Sequence, residues 1–286
     1  MKTLLLLCIS IITLYAHTIP SFAFLAYSGE EWIVCVVKNG KTTEIKLKEE
    51  PHTFDYNFKN DHIIYVGADS KLRLYTQGTE RELQLPYKKS GFTQPSFLCE
   101  DDLVYAVELI NKNSRSTRIV KIDLKDDTMQ SVVKQNSSQF EPQECNEREI
   151  LFSNLICNQG CAKLIQEIWI KNLVTGFSQQ LTLLNAFSTN SSVHYGSHMM
   201  FFNSNKNDNY NIWAKDLSSD ARSFQVTFSE DIDTNPVAID EKSFLYIRNS
   251  GAGESIMYGD LQGKFYEIKL LKEYNKIRQL KVNRCD

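Results

Sequence analysis

The chain has 286 residues, of which 42% are hydrophobic and 23% charged, with 12 Gly and only 6 Pro, so collagen-like, coiled-coil and intrinsically disordered classes are excluded. Thirty-two basic against 35 acidic side chains leave a formal charge of −3, and no run of five or more Lys or Arg occurs, which argues against nucleic acid as a partner. Aromatic residues make up 11%, a level that suits half-buried pleated surfaces better than helical bundles.

Residues 1–23 read as a cleaved export signal. Met1-Lys2-Thr3 supplies a positive start, Leu4 to Leu14 an apolar run broken only by Ser10 and Thr13, and Ser21-Phe22-Ala23 small residues at the −3 and −1 positions of a cleavage site. The run is too short to cross a bilayer, which takes about 20 residues. Cys8 lies too early in it to serve as a lipoprotein cysteine. The expected mature chain is therefore a single domain, 24–286, periplasmic or secreted, without an integral membrane segment.

Repeats organise that domain. Ile168-Trp169-Ile170-Lys171-Asn172-Leu173 returns as Ile212-Trp213-Ala214-Lys215-Asp216-Leu217, and more loosely as Ile256-Met257-Tyr258-Gly259-Asp260-Leu261, with 44 residues between successive copies. Fainter copies centre on Val36, Leu74 and Val120. Within each unit a turn precedes an apolar strand such as Phe244-Leu245-Tyr246-Ile247. A polar loop, the repeat strand and a short strand ending near Leu181-Thr182 or Val226-Thr227 follow. Four short strands per unit, with turn signals about every ten residues, predict antiparallel sheet. Six such units predict an all-β fold, a six-bladed β-propeller of four-stranded antiparallel blades. A β-sandwich with recurring strands is the alternative. Because the Val36 copy arrives so early, blade one lacks its innermost strand. Lys276 to Val282 alternates polar and apolar residues and can supply it, closing the ring and removing exposed sheet edges.

The segments Asn207 to Leu217 and Val226 to Pro236 resemble the repeats of the TolB-type six-bladed propeller. The shared pattern is an Asn/Gly-rich turn, an Ile-Trp-x-x-Asp-Leu strand, a Leu-Thr ending and a polar stretch leading to Pro and the next blade. The resemblance spans the expected mature chain and is sharpest over 141–270. It implies an envelope protein that binds another protein, which for TolB is a peptidoglycan-associated lipoprotein. The family's Ser-Pro-Asp-Gly turn is replaced by Cys99-Glu100-Asp101-Asp102, Cys145-Asn146-Glu147-Arg148 and Asp240-Glu241-Lys242-Ser243. Residues 24–286 leave no room for the α/β domain that precedes the propeller in TolB.

Six cysteines remain beyond residue 23, an even number suited to an oxidising compartment. Cys157 and Cys161 form the most local disulfide candidate, with free thiols as the alternative. Cys35 and Cys285 lie near the chain ends that ring closure brings together and form a second candidate. A direct Cys99–Cys145 bridge is disfavoured because neighbouring inner strands splay.

Catalytic signals are sparse. No nucleophile elbow, His-Glu-x-x-His or phosphate-cradling Gly-rich loop occurs. His194 and His198 would stand about 13 Å apart on a strand, too far for one metal ion. No cofactor or metal is expected. Asp231-Ile232-Asp233-Thr234-Asn235 opens like a calcium loop but carries Pro236 and Lys242 where such loops need Gly and Glu. Lying beside a blade-to-blade crossing, Asp231, Asp233 and Asn235 are the candidate binding residues at the channel mouth. The expected function is a monomeric, non-catalytic exported scaffold that binds a protein of the cell envelope. The alternative is a propeller enzyme of lyase or glycosidase type, or a carbohydrate-binding protein. Carboxylates converging on the channel with an Arg or His would favour the alternative, and an apolar rim would favour protein binding.

Overall fold

The computed structural model describes residues 20–86, 90–100, 102–112, 116–157 and 164–285. Six four-stranded antiparallel sheets are arranged around a central channel as the blades of a propeller. Blade one holds β1 (Phe22–Tyr27), β2 (Trp32–Lys38) and β3 (Lys41–Ile45). Blade two runs through β4 (Thr53–Asn57), β5 (His62–Val66), β6 (Leu72–Thr76) and β7 (Thr79–Glu82), and blade three through β8 (Gly91–Phe97), β9 (Leu103–Leu109), β10 (Thr117–Asp123) and β11 (Thr128–Val133). In blade four are β12 (Ser138–Asn146), β13 (Glu149–Cys157), β14 (Ile165–Asn172) and β15 (Ser178–Gln180), and in blade five β16 (Ser188–Val193), β17 (Met199–Asn207), β18 (Asn209–Asp216) and β19 (Phe224–Gln225). Blade six comprises β20 (Ile232–Ala238), β21 (Ser243–Ser250), β22 (Gly253–Asp260) and β23 (Phe265–Glu267), after which β24 (Ile277–Val282) returns to blade one.

All six repeat centres fall on the third strand from the axis: Val36 on β2, Leu74 on β6, Val120 on β10, Trp169 on β14, Trp213 on β18 and Met257 on β22. Cross-strand pairing repeats with them. Trp169 sits between Phe152 and Gln180, Trp213 between Phe202 and Gln225, and Met257 between Tyr246 and Glu267.

The repeated polar letters have mechanical causes. The Thr182 and Thr227 hydroxyls each accept the backbone N–H of the motif isoleucine, Ile168 and Ile212, at 2.9 Å. A threonine there satisfies a buried donor at the point where the short outer strand leaves the ladder. Asn172, Asp216 and Asp260 turn back to accept the N–H groups of Val174, Ser218 and Gln262, forming the Asx turns that start the last hairpin of each blade. Gly259 departs from the lysine of the other copies because a Cβ there would stand 2.8 Å from the Phe244 ring and 2.9 Å from that of Phe265.

Ring closure follows the expected route. β24 pairs antiparallel with β1, giving blade one the order β24-β1-β2-β3. Phe22 and Ala23, which lie on the leader side of the expected cleavage point, begin β1; both are fully buried and pair with Val282 and Lys281. The apolar core is divided into clusters between successive blades. Phe24, Cys35, Leu245, Ile256 and Ile277 join blades six and one, and Met200, Phe202, Leu151 and Ile168 join blades four and five. No helix among the described residues is long and apolar enough to cross a membrane.

Candidate functional site: the central channel and its two ends

Every inner strand contributes to one cavity of about 130 Å³ on the axis, through Thr53 to Asp55, Gln94 to Ser96, Glu141 to Gln143, Asn190 to Ser192, Asn235 to Val237 and Gln279 to Val282, with Arg284 at its end. Five of these strands carry the same backbone device. Gln94, Glu141, Asn190, Asn235 and Gln279 adopt left-handed backbone with φ between 50° and 56°, and the pairing register slips at each. Such a bulge re-aims the side chain toward the axis. Asn190 and Asn235 are residue types that tolerate this region well, and at Gln94, Glu141 and Gln279 the side-chain oxygen accepts a backbone N–H of a neighbouring blade. β4 has no slip, and Thr53 occupies the corresponding place.

These side chains fasten each blade to its neighbour. The Gln94 N–H donates to Thr53 Oγ1 at 3.0 Å, that of Glu141 to Gln94 Oε1 at 3.0 Å, that of Asn190 to Glu141 Oε2 at 2.7 Å, and that of Phe54 to Gln279 Oε1 at 3.1 Å. Between blades five and six Asn203 serves as relay, taking both the Asn190 amide and the Asn235 N–H on its Oδ1. A second tier lies deeper, where Asp55, Gln143 and Ser192 accept the N–H groups of Phe97, Val193 and Ala238. Burial pushes the Glu141 carboxyl above the ordinary carboxylate range, opposed by the Asn190 N–H, the Ser153 hydroxyl and the charge of Lys281.

The channel carboxylates have a structural part in this belt. Asp55 and Glu141 do converge on the axis with Lys281 and Arg284, as the enzyme reading anticipates. Their oxygens, however, hold backbone N–H groups of the next blade. The described residues contain no group of three or more His, Cys, Asp or Glu able to hold a metal. His194 and His198 flank a turn, with the Ser197 N–H donating to His194 O, rather than lying along one strand.

The three candidate binding residues are separated by the structure. Asn235 lines the cavity. Asp231 stays partly exposed at the crossing into blade six, where its carbonyl accepts the Asn209 amide at 2.8 Å. Asp233 is fully buried and bound by two bonds to Arg248, Oδ1 to Nε at 2.8 Å and Oδ2 to Nη2 at 2.9 Å. Asp233 therefore has a structural duty inside the blade and is not presented at the mouth. Alternation along β20 turns Asp233 inward, and Arg248, its cross-strand partner on β21, neutralises it. The Arg248 guanidinium is in turn raised above its ordinary value, chiefly by that bond to Asp233.

The two ends of the channel differ. At the entry end, where the inner strands begin, the blade connections carry exposed apolar side chains: Leu183 at 81%, Phe228 at 79% and Ile232 at 42%, with Ile156 and Leu164 beside them on blade four. The loops bearing them are stitched together. Gln166 donates to Ala186 O, Phe187 to Asn205 Oδ1, and the Asn209 amide to the carbonyls of Ser229, Glu230 and Asp231. At the exit end the C-terminal segment crosses the axis. Cys285 is bonded to Cys99, with a Cα–Cα distance of 5.4 Å, while Cys35 and Cys145 are buried free thiols. The Cys35–Cys285 pairing is therefore corrected: β24 does reach blade one, but the chain runs on past its end to blade three. Cys161 of the Cys157–Cys161 candidate lies outside the described residues. Burial pushes the Cys35 thiol up to about 11 and that of Cys145 up to about 12, so both stay protonated and unreactive near neutral pH.

An all-β propeller of six four-stranded blades, closed by its C-terminal strand and built around a polar channel open at one end, is the class these features define. No protein-family model and no curated protein sequence matches the chain. Among solved structures, TolB from Acinetobacter baumannii superposes with a TM-score of 0.72 at 13% identity, over 91% of this chain and 66% of that one. A putative TolB from Agrobacterium tumefaciens superposes with a TM-score of 0.64 at 10% identity, over 86% and 87% of the two chains. A puromycin-hydrolyzing peptidase from Mycobacterium tuberculosis gives 0.57 at 10% identity, over 88% of this chain and 54% of that one. The chain is thus a propeller of the TolB-like fold, and it spans just under two thirds of the Acinetobacter TolB chain.

Proposed function

We propose that the protein is an exported, non-catalytic scaffold that binds another protein of the cell envelope at the entry end of its channel. The observation carrying this reading is the exposure of three apolar side chains, Leu183, Phe228 and Ile232, on stitched blade connections at that end of the propeller. Apolar groups held exposed on a rigid rim mark a surface built to be covered. Asp231 and Asn235 supply polar contacts at the same mouth, and Asp233 braces the strand that presents them. The fold shared with TolB and the Cys99–Cys285 bond are consistent with an envelope location.

The second reading, a propeller enzyme, draws on the peptidase likeness. It is weakened by the engagement of Asp55 and Glu141 in blade-to-blade bonds. Crosslinking capture from envelope extract with the wild-type chain and with Leu183→Asp/Phe228→Asp tests the proposal. A species captured by the first and lost with the second, at unchanged melting temperature, is expected. Equal capture by both refutes the apolar rim. Hydrolysis of aminoacyl-anilide or glycoside substrates by the purified chain would establish the enzyme reading instead.

A further inference from the structure

The exit end of the channel poses a separate problem. After β24 the chain leaves blade one, crosses the axis and reaches blades three, four and five within three residues. Arg284 is buried at 9% exposure, and its guanidinium donates to the backbone carbonyls of Glu144, at 2.7 Å, and Phe97, and to Ser96 Oγ at 3.4 Å. Its own carbonyl accepts the Tyr195 N–H at 2.9 Å. The next residue is tied to blade three by the Cys99–Cys285 bond. Beside this segment lies a cavity of about 160 Å³ walled by Asp55 to Lys59, Phe97 to Cys99 and the segment itself.

A buried cation held by carbonyls, with no carboxylate among the described residues directly bonded to it, is costly unless its pocket is shaped for a guanidinium. Planar N–H donors fit carbonyls converging from two adjacent strand ends, and no other charged side chain presents that fork. The latch has an equally specific setting. Cys285 is exposed and Cys99 half-buried, whereas Cys35 and Cys145 are buried and protonated. Exposed disulfides are the labile and regulatory ones, and those two buried thiols are too inert to scramble the bond.

We propose that the exit mouth is a guanidinium-binding site which Arg284 fills in cis while the Cys99–Cys285 bond is closed, and which a dithiol reductant opens to an arginine-bearing segment of another protein. In the opening step the reductant's thiolate attacks Sγ of Cys285, the sulfur–sulfur bond breaks, and the Cys99 thiolate leaves and takes up a proton. The reductant's second thiol then displaces Cys285, so the reductant departs as a disulfide and the protein carries two thiols. With the latch open, Arg284 keeps its hydrogen bonds and its tether to β24 but loses the second anchor at Cys285, so an incoming guanidinium displaces it more readily than from the closed form. The site lies at the opposite end from the apolar rim, so it stands or falls independently of the proposed function.

Two measurements test it. Amide hydrogen exchange on the wild-type chain, oxidised and then reduced with dithiothreitol, reports the Tyr195 N–H that Arg284 protects. Reduction is expected to speed exchange at Tyr195 by about ten-fold or more while the inner strands keep their protection. No change would show that the bond is not the latch, and loss of protection throughout would show it to be a staple of the whole fold; either overturns the proposal. Binding of a fluorescent peptide of residues 281–285 carrying Cys285→Ser is then measured against the oxidised wild-type chain and against Arg284→Ala/Cys285→Ser. Binding about ten-fold tighter to the vacated variant, and lost when the peptide's arginine is replaced by alanine, is expected. Equal binding to both proteins, or a peptide indifferent to its arginine, refutes the site. Should the variant fold poorly, peptide binding to the reduced wild-type chain decides the same question.

Discussion

The entry and exit ends of one channel are built from the same six strands, yet at one the blade connections carry exposed apolar side chains, while at the other the C-terminal segment buries a cation beside a disulfide. The difference lies in where the chain crosses between blades. At the entry end each blade hands over to the next through a connection, and Leu183 and Phe228 stand exposed on two of these connections. At the exit end the inner strands turn straight back into their own blades, and the C-terminal segment bonds the strand-end carbonyls of Phe97 and Glu144 through Arg284. The proposed recognition surface and the closure therefore stand at opposite ends.

The largest effect should come from removing the closure altogether. Deleting residues 276–286 takes away β24, the plug and the disulfide together, exposing the β1 edge. Loss of a cooperative melting transition, or aggregation on gel filtration, is expected; a monomer with an unchanged melting temperature would break the account of the exit end. Next in size is the N-terminal strand that β24 pairs with. A chain starting at Phe24 lacks buried Phe22 and Ala23, and it should be less stable than one starting at Phe22 by about 3 kcal/mol or more, read by chemical denaturation. Equal stability would show that β1 does not need its first two residues. N-terminal sequencing of the exported protein then shows which start the cell makes.

At the entry end the candidate residues should separate. Asp233→Ala strands Arg248 in a largely buried site and should cost about 3 kcal/mol, somewhat reduced because Arg248 is a quarter exposed. Asp231→Ala should stay within about 0.5 kcal/mol. Equal costs would mean that the Asp233–Arg248 pair does not brace the mouth.

The smallest effect is a change in pH dependence. Glu141 has its folded-state value raised by burial, so the folded chain binds the proton more tightly than the unfolded one. The stability this contributes is present below the ordinary carboxylate value and is lost as pH rises through the raised one. Glu141→Gln keeps an acceptor for the Asn190 N–H and removes the charge. It should flatten that limb and leave stability at neutral pH equal or higher. A variant that is less stable at neutral pH with an unchanged profile would contradict the burial argument.

The sequence by itself determined the third strand of every blade, the count of six and the source of the missing inner strand. Those properties rest on local pattern: an apolar alternation every 38 to 49 residues, an Asx turn after it, and a threonine whose hydroxyl caps the motif isoleucine. The inner strands were less legible, although their signal is present in Gln94-Pro95, Glu141-Pro142 and Asn235-Pro236, where a polar residue precedes proline at the bulge. Read as loop punctuation, these dipeptides hide a belt of hydrogen bonds around the axis, because a left-handed bulge looks like a turn until its neighbours are known. Asp233 looked like surface for the related reason that its partner Arg248 belongs to another strand. Only the tertiary structure decided the pairing of Cys285. Ring closure brings the C-terminal strand to blade one, next to Cys35. Three further residues are enough to cross the narrow channel, and the carbonyls waiting on its far side draw Arg284, and with it Cys285, to Cys99.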